Sequence, residues 1–165
     1  MDFSRDPDVH RAEPTDISEA IRRAIEAVAV RPEFGRIAIA YEHQCLDEGR
    51  FDPVQLQRVI TDFVLNACEA LSSVSGRTDV KSLRRRERMD ISIADNGPGV
   101  PGPIRHAVFQ PFVSCGKTGG TGLGLAIVQK IVRDLVGRFT WTGPVKKARS
   151  SALCFLTQGL AGKTD

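Results

Sequence analysis

The chain has few aromatic side chains and no long apolar run. Its 165 residues include one Trp and one Tyr, and Met1 to Asp6 lack the apolar segment of a secretory signal. No apolar run approaches the ~20 residues that a membrane helix needs. The four cysteines, at 45, 68, 115 and 154, stand in no metal-binding or redox spacing. We therefore expect reduced thiols, no membrane contact and a cytoplasmic location.

The charge balance gives little support to a nucleic-acid partner. The net charge is +3, and basic residues cluster at 84–88 and 146–149. Neither cluster is interleaved with the aromatic side chains that stack on bases. We interpret both clusters as solvated turns and predict that the chain does not bind nucleic acid.

The length and composition fit one globular domain between two polar ends. The hydrophobic fraction of 41% and charged fraction of 26% are those of an ordinary globular protein. Residues 1–14 are polar and contain Pro7 and Pro14, which predicts a linker. Residues 159–165 are again polar. We expect the folded domain to cover residues 15–158.

Hydrophobic spacing predicts two helices and three strands before the glycine-rich segment at 119–124, and two strands after it. Asp16, with Glu19 three residues later, forms a capping box for a helix that ends before Pro32. Asp52 followed by Pro53 begins a helix that continues to Leu71. A turn or short hairpin is predicted at 45–51 and a short helix at 101–108. The predicted strands are 36–42, 78–83, 89–94, 138–142 and 152–157.

The second helix carries a polar stripe opposite its apolar face. At 100° per residue, Asp62, Asn66 and Glu69 share this stripe. A solvated face is the simpler interpretation. However, Leu65 lies within the stripe, which indicates that the stripe is partly covered.

A glycine-rich segment opens the third predicted helix. Four glycines fall within 119–124, and the apolar run 126–136 follows. Such a loop before a helix N-terminus can bind phosphate, although a flexible loop before a buried helix is the alternative. A P-loop is excluded because Pro111 occupies the place of its first glycine. The run Gly97-x-Gly99-x-x-Gly102 matches a dinucleotide fingerprint only weakly, since prolines interrupt it.

Four motifs in a fixed order carry a family resemblance. They are Asn66 on a helix, Asp-Asn-Gly-Pro-Gly at 95–99 after a strand, Phe-Gln-Pro-Phe at 109–112, and Gly-Thr-Gly-Leu-Gly-Leu at 120–125. This set resembles the catalytic and ATP-binding domain of bacterial sensor histidine kinases, in the GHKL ATPase superfamily. The resemblance covers about residues 15–157. It implies an α/β (α+β) sandwich of the Bergerat type, with a mixed, mostly antiparallel sheet and helices packed on one face.

The resemblance implies a role for each motif residue in binding ATP and Mg²⁺. Asp95 would accept a hydrogen bond from the adenine amino group, and Gly97 and Gly99 would let the backbone approach the purine. The amide oxygen of Asn66 would be the metal ligand. Ser151 would replace a threonine that supports the adenine-binding aspartate in the family.

The remaining motif residues are implied to surround the phosphates. Lys117 would contact the β- or γ-phosphate, while Phe109 and Phe112 would pack a mobile lid. Backbone N–H groups for the phosphates would come from Gly120, Thr121, Gly122, Leu123 and Gly124.

Asp62 departs from the family pattern, because sensor kinases commonly carry Asn at this position. Hydrolytic relatives carry a Glu there that activates water. A carboxylate at 62 could act as a general base. It therefore leaves the balance between phosphoryl transfer and ATP hydrolysis open.

The implied reaction is transfer of the γ-phosphoryl group of ATP to a histidine on a dimerisation and phosphoacceptor domain, with a response regulator downstream. The start of the chain resembles the exit from that domain's second helix. His10 is not favoured as phosphoacceptor because its surroundings are polar and flanked by proline. We expect the isolated domain to be a monomer. The alternatives are an ATP-hydrolysing relative and a nucleotide-sensing module, such as an anti-sigma-type relative.

Overall fold

The computed structural model describes residues 13–43, 48–71, 75–85, 88–100, 103, 107, 109–112, 124–134, 138–142 and 150–157. Within these ranges the chain forms three α-helices: α1 (Ile17–Ala29), α2 (Pro53–Ala70) and α3 (Gly124–Asp134). A 3₁₀ turn, Pro32–Phe34, follows α1. The strands are β1 (Glu13–Asp16), β2 (Ile37–His43), β3 (Glu48–Phe51), β4 (Gly76–Arg85), β5 (Arg88–Asp95), β6 (Arg138–Thr142) and β7 (Ser150–Thr157).

Both predicted helix starts are confirmed. The side chain of Asp16 accepts a hydrogen bond from the Glu19 N–H at 3.0 Å. The Glu19 carboxylate binds Arg22 and Arg23, at 3.3 and 2.8 Å, so only the Asp16 half of the predicted capping box is seen. Asp52 caps α2 by accepting from the N–H groups of the second and third helical residues, at 3.0 and 3.1 Å.

Five strands form one mixed sheet in the order β2-β4-β5-β7-β6. The β2–β4 pair is parallel, and the other three pairs are antiparallel. The predicted mixed, mostly antiparallel sheet is therefore confirmed. The register of the β4–β5 pair places Thr78 opposite Asp95.

A separate two-stranded sheet joins β1 to β3. The Thr15 hydroxyl donates a 3.0 Å hydrogen bond to the Phe51 carbonyl and fixes this pairing. β1 begins at Glu13, inside the segment predicted as a linker, and β3 occupies part of the predicted turn at 45–51. Since four polar residues carry little strand signal of their own, β1 depends on its partner strand.

The helices cover one face of the five-stranded sheet. Alternate residues of β4 and β5 are buried on this face: Thr78, Val80, Ser82, Met89, Ile91 and Ile93. Val80, Met89, Ile91 and Ile93 belong to one core with the apolar faces of the three helices. The opposite face carries exposed ion pairs, such as Lys81 with Glu42 at 2.7 Å. This two-layer arrangement confirms the predicted α/β sandwich. In the part of the chain that the structure describes, no helix has the length and hydropathy needed to cross a bilayer.

Candidate functional site

The polar stripe of α2 is half-buried rather than fully solvated. Its members Asp62, Asn66 and Glu69 are all partly covered, and Leu65 packs against the core. The Asn66 Nδ2 donates a 2.8 Å hydrogen bond to the Asp62 backbone carbonyl. Because only the NH₂ group of an amide can donate to a carbonyl, this contact fixes which way the Asn66 amide faces. Its oxygen is directed away from the helix backbone.

Partial burial changes the acidity of Asp62. Loss of hydration raises the pKa of the Asp62 carboxyl above its ordinary value of 3.8, and Arg58 one turn earlier lowers it by a smaller amount. Burial disfavours the charged form, whereas the nearby cation favours it. Asp62 is therefore a better proton acceptor, when ionised, than a fully hydrated aspartate.

Asp95 ends β5 on the face that the helices cover, since it continues the alternation of Met89, Ile91 and Ile93. Its Oδ1 accepts a 2.8 Å hydrogen bond from the Gly97 N–H, two residues on. This contact turns the chain sharply at the end of the strand. The carboxylate is thus held in a defined direction by its own loop.

Gly97 is buried between Asp95 and the end of α2. A Cβ added there would lie 2.7 Å from the Asp95 Oδ1 and 3.5 Å from the Ala70 carbonyl oxygen. The first distance is shorter than real Cβ contacts, so a side chain at 97 would displace the Asp95 carboxylate. Gly99 has φ of 81°, a left-handed conformation that favours glycine. The Asp95 loop therefore lies directly against the helix that carries Asn66.

Cys68 and Thr78 lie beside Asp95. Thr78 was not among the site residues predicted from the sequence. The Cys68 Sγ is 4.0 Å from the Thr78 Oγ1, and Thr78 is the strand partner of Asp95. Burial raises the pKa of the Cys68 thiol; the Thr78 hydroxyl lowers it, while Asp95 and Glu69 raise it further. The free thiol predicted for Cys68 is confirmed. Cys45 and Cys115 lie outside the described residues.

The two predicted lid phenylalanines differ in environment. Phe109 is half-buried. It lies in a turn in which the Gln110 N–H donates a 2.8 Å hydrogen bond to the Ala107 carbonyl. Phe112 is 78% exposed, and its φ of 68° lies in the left-handed region. A non-glycine residue in that region is uncommon. Packing of a lid by these two side chains stays a prediction.

The phosphate-binding prediction falls largely outside the described residues. Lys117, Gly120, Thr121, Gly122 and Leu123 are not among them. Gly124 is the first residue of α3, and a Cβ there would meet nothing within 4 Å. The third helix therefore starts at the glycine-rich segment, two residues earlier than the apolar run predicted.

The β5–β7 register bears on the predicted role of Ser151. Ser151 pairs with Ala94, whereas Ser150 is the residue opposite Asp95. Sequence spacing alone could not fix a register between strands more than 50 residues apart. The structure thus adds Ser150 to the residues that border the Asp95 position, and a supporting role for Ser151 stays a prediction.

Comparison with known proteins identifies the family. The model described as "Histidine kinase-, DNA gyrase B-, and HSP90-like ATPase" matches residues 51–157, which include Asn66, Asp95 and the glycine-rich segment. The chain belongs to this ATPase family. The resemblance inferred from the four motifs is confirmed.

The similar members of this ATPase family are sensor kinases. The sensory histidine kinase/phosphatase NtrB of Klebsiella oxytoca is 30% identical over 147 residues, 82% of this chain and 41% of that protein. The sensor histidine kinase ZraS of the same organism is 34% identical over 124 residues, 72% of this chain and 26% of that protein. The chain therefore spans less than half the length of these curated relatives.

Solved structures of the ATPase family share the fold. A mycobacterial sensor histidine kinase, MprB, matches with a TM-score of 0.74 at 28% identity, over 88% of this chain and 97% of that chain. The catalytic domain of histidine kinase ThkA matches with a TM-score of 0.77 at 24% identity, over 88% and 95%. Full-length ShkA in complex with AMPPNP matches with a TM-score of 0.69 at 26% identity, over 87% and 30%.

Proposed function

We propose that this chain is the catalytic domain of a sensor histidine kinase. It binds ATP with Mg²⁺ and transfers the γ-phosphoryl group to a histidine on a dimerisation and phosphoacceptor domain of the same or a partner kinase. A response regulator then receives the phosphoryl group. The observation that carries the proposal is the Asp95 carboxylate, oriented by the Gly97 N–H against the end of the helix that bears Asn66. The kinase names of NtrB and ZraS support it.

Asp95 selects adenine by charge and hydrogen bonding. Its Oδ1 already accepts the Gly97 N–H, but a carboxylate has about four acceptor sites and can accept a further donor. The exocyclic amino group of adenine is such a donor. Guanine presents a carbonyl oxygen at the corresponding position and would face the carboxylate with no hydrogen atom between them. ShkA, whose structure is similar to this chain, was solved in complex with AMPPNP, which supports nucleotide binding by this chain.

Asn66 is suited to hold Mg²⁺. Its Nδ2 is engaged with the Asp62 carbonyl, so the amide presents oxygen, the atom that hard cations prefer, on the other side. A neutral ligand suits an ion that keeps several waters and binds phosphate oxygens. When bound, Mg²⁺ would neutralise negative charge on the phosphates. The fixed orientation of the Asn66 amide would set the direction from which Mg²⁺ binds.

The N-terminus of α3 and the preceding glycines bind the phosphates. α3 begins at Gly124, and the first-turn N–H groups of a helix have no partner within the helix. Glycine backbone from 120 to 124, with the Lys117 ammonium, would complete an anion site. Catalysis of this kind depends on positioning and charge neutralisation rather than on covalent chemistry by the protein.

ATP hydrolysis is the second candidate, and Asp62 is the residue that favours it. Its burial raises the carboxyl pKa, which suits a group that removes a proton from an attacking water. The named relatives favour transfer instead. In the hydrolytic reaction, Asp62 would accept the proton from water beside the metal-binding amide of Asn66.

Radiolabelled ATP distinguishes the two reactions. The chain is incubated with ATP, Mg²⁺ and a separately expressed phosphoacceptor domain, and the expected result is an acid-labile, base-stable label on histidine. With Asp95→Asn, the label should be strongly reduced at ATP concentrations near the wild-type dissociation constant. If the chain binds ATP but leaves histidine unlabelled and hydrolyses ATP, with hydrolysis lost in Asp62→Asn, the hydrolytic function is correct. We also propose that the isolated domain is a monomer and acts in the cytoplasm; gel filtration with light scattering tests the first point.

A further inference from the structure

Asn96 closes the end of the β4–β5 ladder in an unusual way. The Asn96 N–H donates to the Arg77 carbonyl at 3.2 Å, as in an ordinary antiparallel pair. The return bond is different, because the Arg77 N–H donates to the Asn96 side-chain Oδ1, at 2.8 Å. The side chain of Asn96 thus takes the place that its backbone carbonyl would hold in a regular strand.

The replacement of the Asn96 backbone carbonyl by its side-chain oxygen allows the turn that orients Asp95. With the Asn96 carbonyl released from the ladder, the chain leaves the strand direction at Gly97. The Gly97 N–H then reaches back 2.8 Å to the Asp95 Oδ1. Two consecutive side chains, Asp95 and Asn96, therefore replace backbone acceptors at the end of β5.

Close packing around Leu71 links this turn to α2. A Cβ added at Gly76 would lie 3.0 Å from the Asn96 Oδ1 and 2.7 Å from the Leu71 Cδ2. The same Leu71 methyl lies 3.3 Å from the position of a Cβ at Gly97. Leu71 is 1% exposed and ends α2. The end of α2, the start of β4 and the turn after β5 therefore meet at one buried leucine.

We propose that Asn96 is a positioning residue for base recognition, because its side-chain bond to Arg77 sets the turn in which Gly97 holds the Asp95 carboxylate. The inference rests on the proposed nucleotide-binding function. It states that Asn96 contributes to the preference of the site for adenine over guanine. Asn96 does not touch the nucleotide in this account. Its side chain is exposed, so the effect of a substitution should be local.

Calorimetric titration with ADP and GDP tests the inference without the complication of hydrolysis. Asn96→Ala should raise the dissociation constant for ADP by about 3- to 10-fold, the factor expected for one lost hydrogen bond. GDP affinity should change less, so the preference for adenine narrows. Asn96→Asp keeps an oxygen that can accept the Arg77 N–H and should stay within about twofold of the wild type. Asn96→Ser, whose hydroxyl is too short to replace the Oδ1, should behave like Asn96→Ala.

Arg77→Ala is the matched control, since it removes the exposed guanidinium and keeps the backbone N–H. It should leave the ADP-to-GDP ratio unchanged. Amide hydrogen exchange gives an independent readout: in Asn96→Ala, the amides of both Arg77 and Gly97 should lose protection, because both N–H groups would lose their side-chain acceptors. A role limited to closing the strand would expose the Arg77 amide alone.

The outcomes separate this inference from the proposed function. A wild-type chain that binds neither nucleotide contradicts the proposed function itself. If the wild type binds ADP, the inference is overturned by an unchanged ADP affinity in Asn96→Ala, or by an equal loss in Asn96→Asp. A Gly97 amide that keeps its exchange protection in Asn96→Ala overturns it as well.

Discussion

The Asn66 side-chain amide lies 2.8 Å from the backbone carbonyl of Asp62, one helical turn earlier. This contact engages the amide nitrogen, and the amide oxygen is the atom of this side chain that a hard cation prefers. The two polar residues that the motifs single out on α2 are therefore connected through the backbone of one of them. Substitutions at the two positions should have different consequences.

Asn66→Ala should abolish the effect of Mg²⁺ on ATP affinity. The wild type should bind ATP more tightly with Mg²⁺ than with EDTA, whereas the variant should show the same dissociation constant in both. Asn66→Asp keeps an oxygen ligand and should retain the dependence. Gln57→Ala, another amide removed from the same helix, is the control. A Mg²⁺ effect that persists in Asn66→Ala places the metal on other residues.

Asp95→Asn should weaken ATP binding by about 1.5–3 kcal/mol, the range for hydrogen bonds to charged groups. The Asn side chain still offers an oxygen to the Gly97 N–H, so the loop should keep its turn. The variant therefore isolates the loss of charge. Asp79→Asn is the control, because it makes the same change on the opposite face of the sheet, where Asp79 contacts Arg77. Equal ATP affinities for wild type and Asp95→Asn, measured by calorimetry, would show that the adenine site is misplaced.

Gly97→Ala should reduce both stability and nucleotide affinity. The new Cβ would stand 2.7 Å from the Asp95 Oδ1, so the carboxylate or the loop must move. Such overpacking costs about 1–3 kcal/mol, which urea unfolding can measure. Gly35→Ala is the control, since its Cβ would lie 3.4 Å from the nearest atom, the Pro32 carbonyl oxygen. A Gly97→Ala chain as stable and as tight in binding as the control would contradict the described geometry.

Asp62→Asn should stabilise the chain at neutral pH. Burial raises the Asp62 pKa above 3.8, so at pH values between 3.8 and the raised pKa the folded state holds a proton that the unfolded state has released. Stability contributed at this position therefore falls as pH rises through the raised pKa. The variant should melt about 1–3 °C higher at pH 7, a small value because the side chain is half-buried and partly hydrated. The difference should shrink toward zero below pH 3.8. A lower Tm for Asp62→Asn at pH 7, or a difference independent of pH, would count against this assignment.

Local signals were sufficient for much of the fold. Asp52 and Pro53 marked the start of α2, and alternation marked β4 and β5, because these signals depend on residues close in sequence. The β1–β3 pair was missed because its strands are short and polar and are fixed by a distant contact, from Thr15 to Phe51. The parallel alignment of β2 with β4 likewise depends on tertiary packing.

The site could be predicted only where a motif carried it. Asn66 and Asp95 were predicted as site residues from motif order, and the structure shows the contacts that orient both side chains. Asn96 was missed as a positioning residue because its bond to Arg77 spans 19 residues and exists only in one strand register. The same limit applies to Ser150, which the β7 register places opposite Asp95.

Calorimetric titration of the chain with ATP and Mg²⁺ tests the central claim most directly, together with a thermal melt at the same nucleotide concentrations. We predict a saturable heat of binding and a rise in Tm, because a ligand that binds only the folded state stabilises it. Both signals should be much smaller with GTP at the same concentration. An absence of heat and of any Tm shift at millimolar ATP would contradict the account.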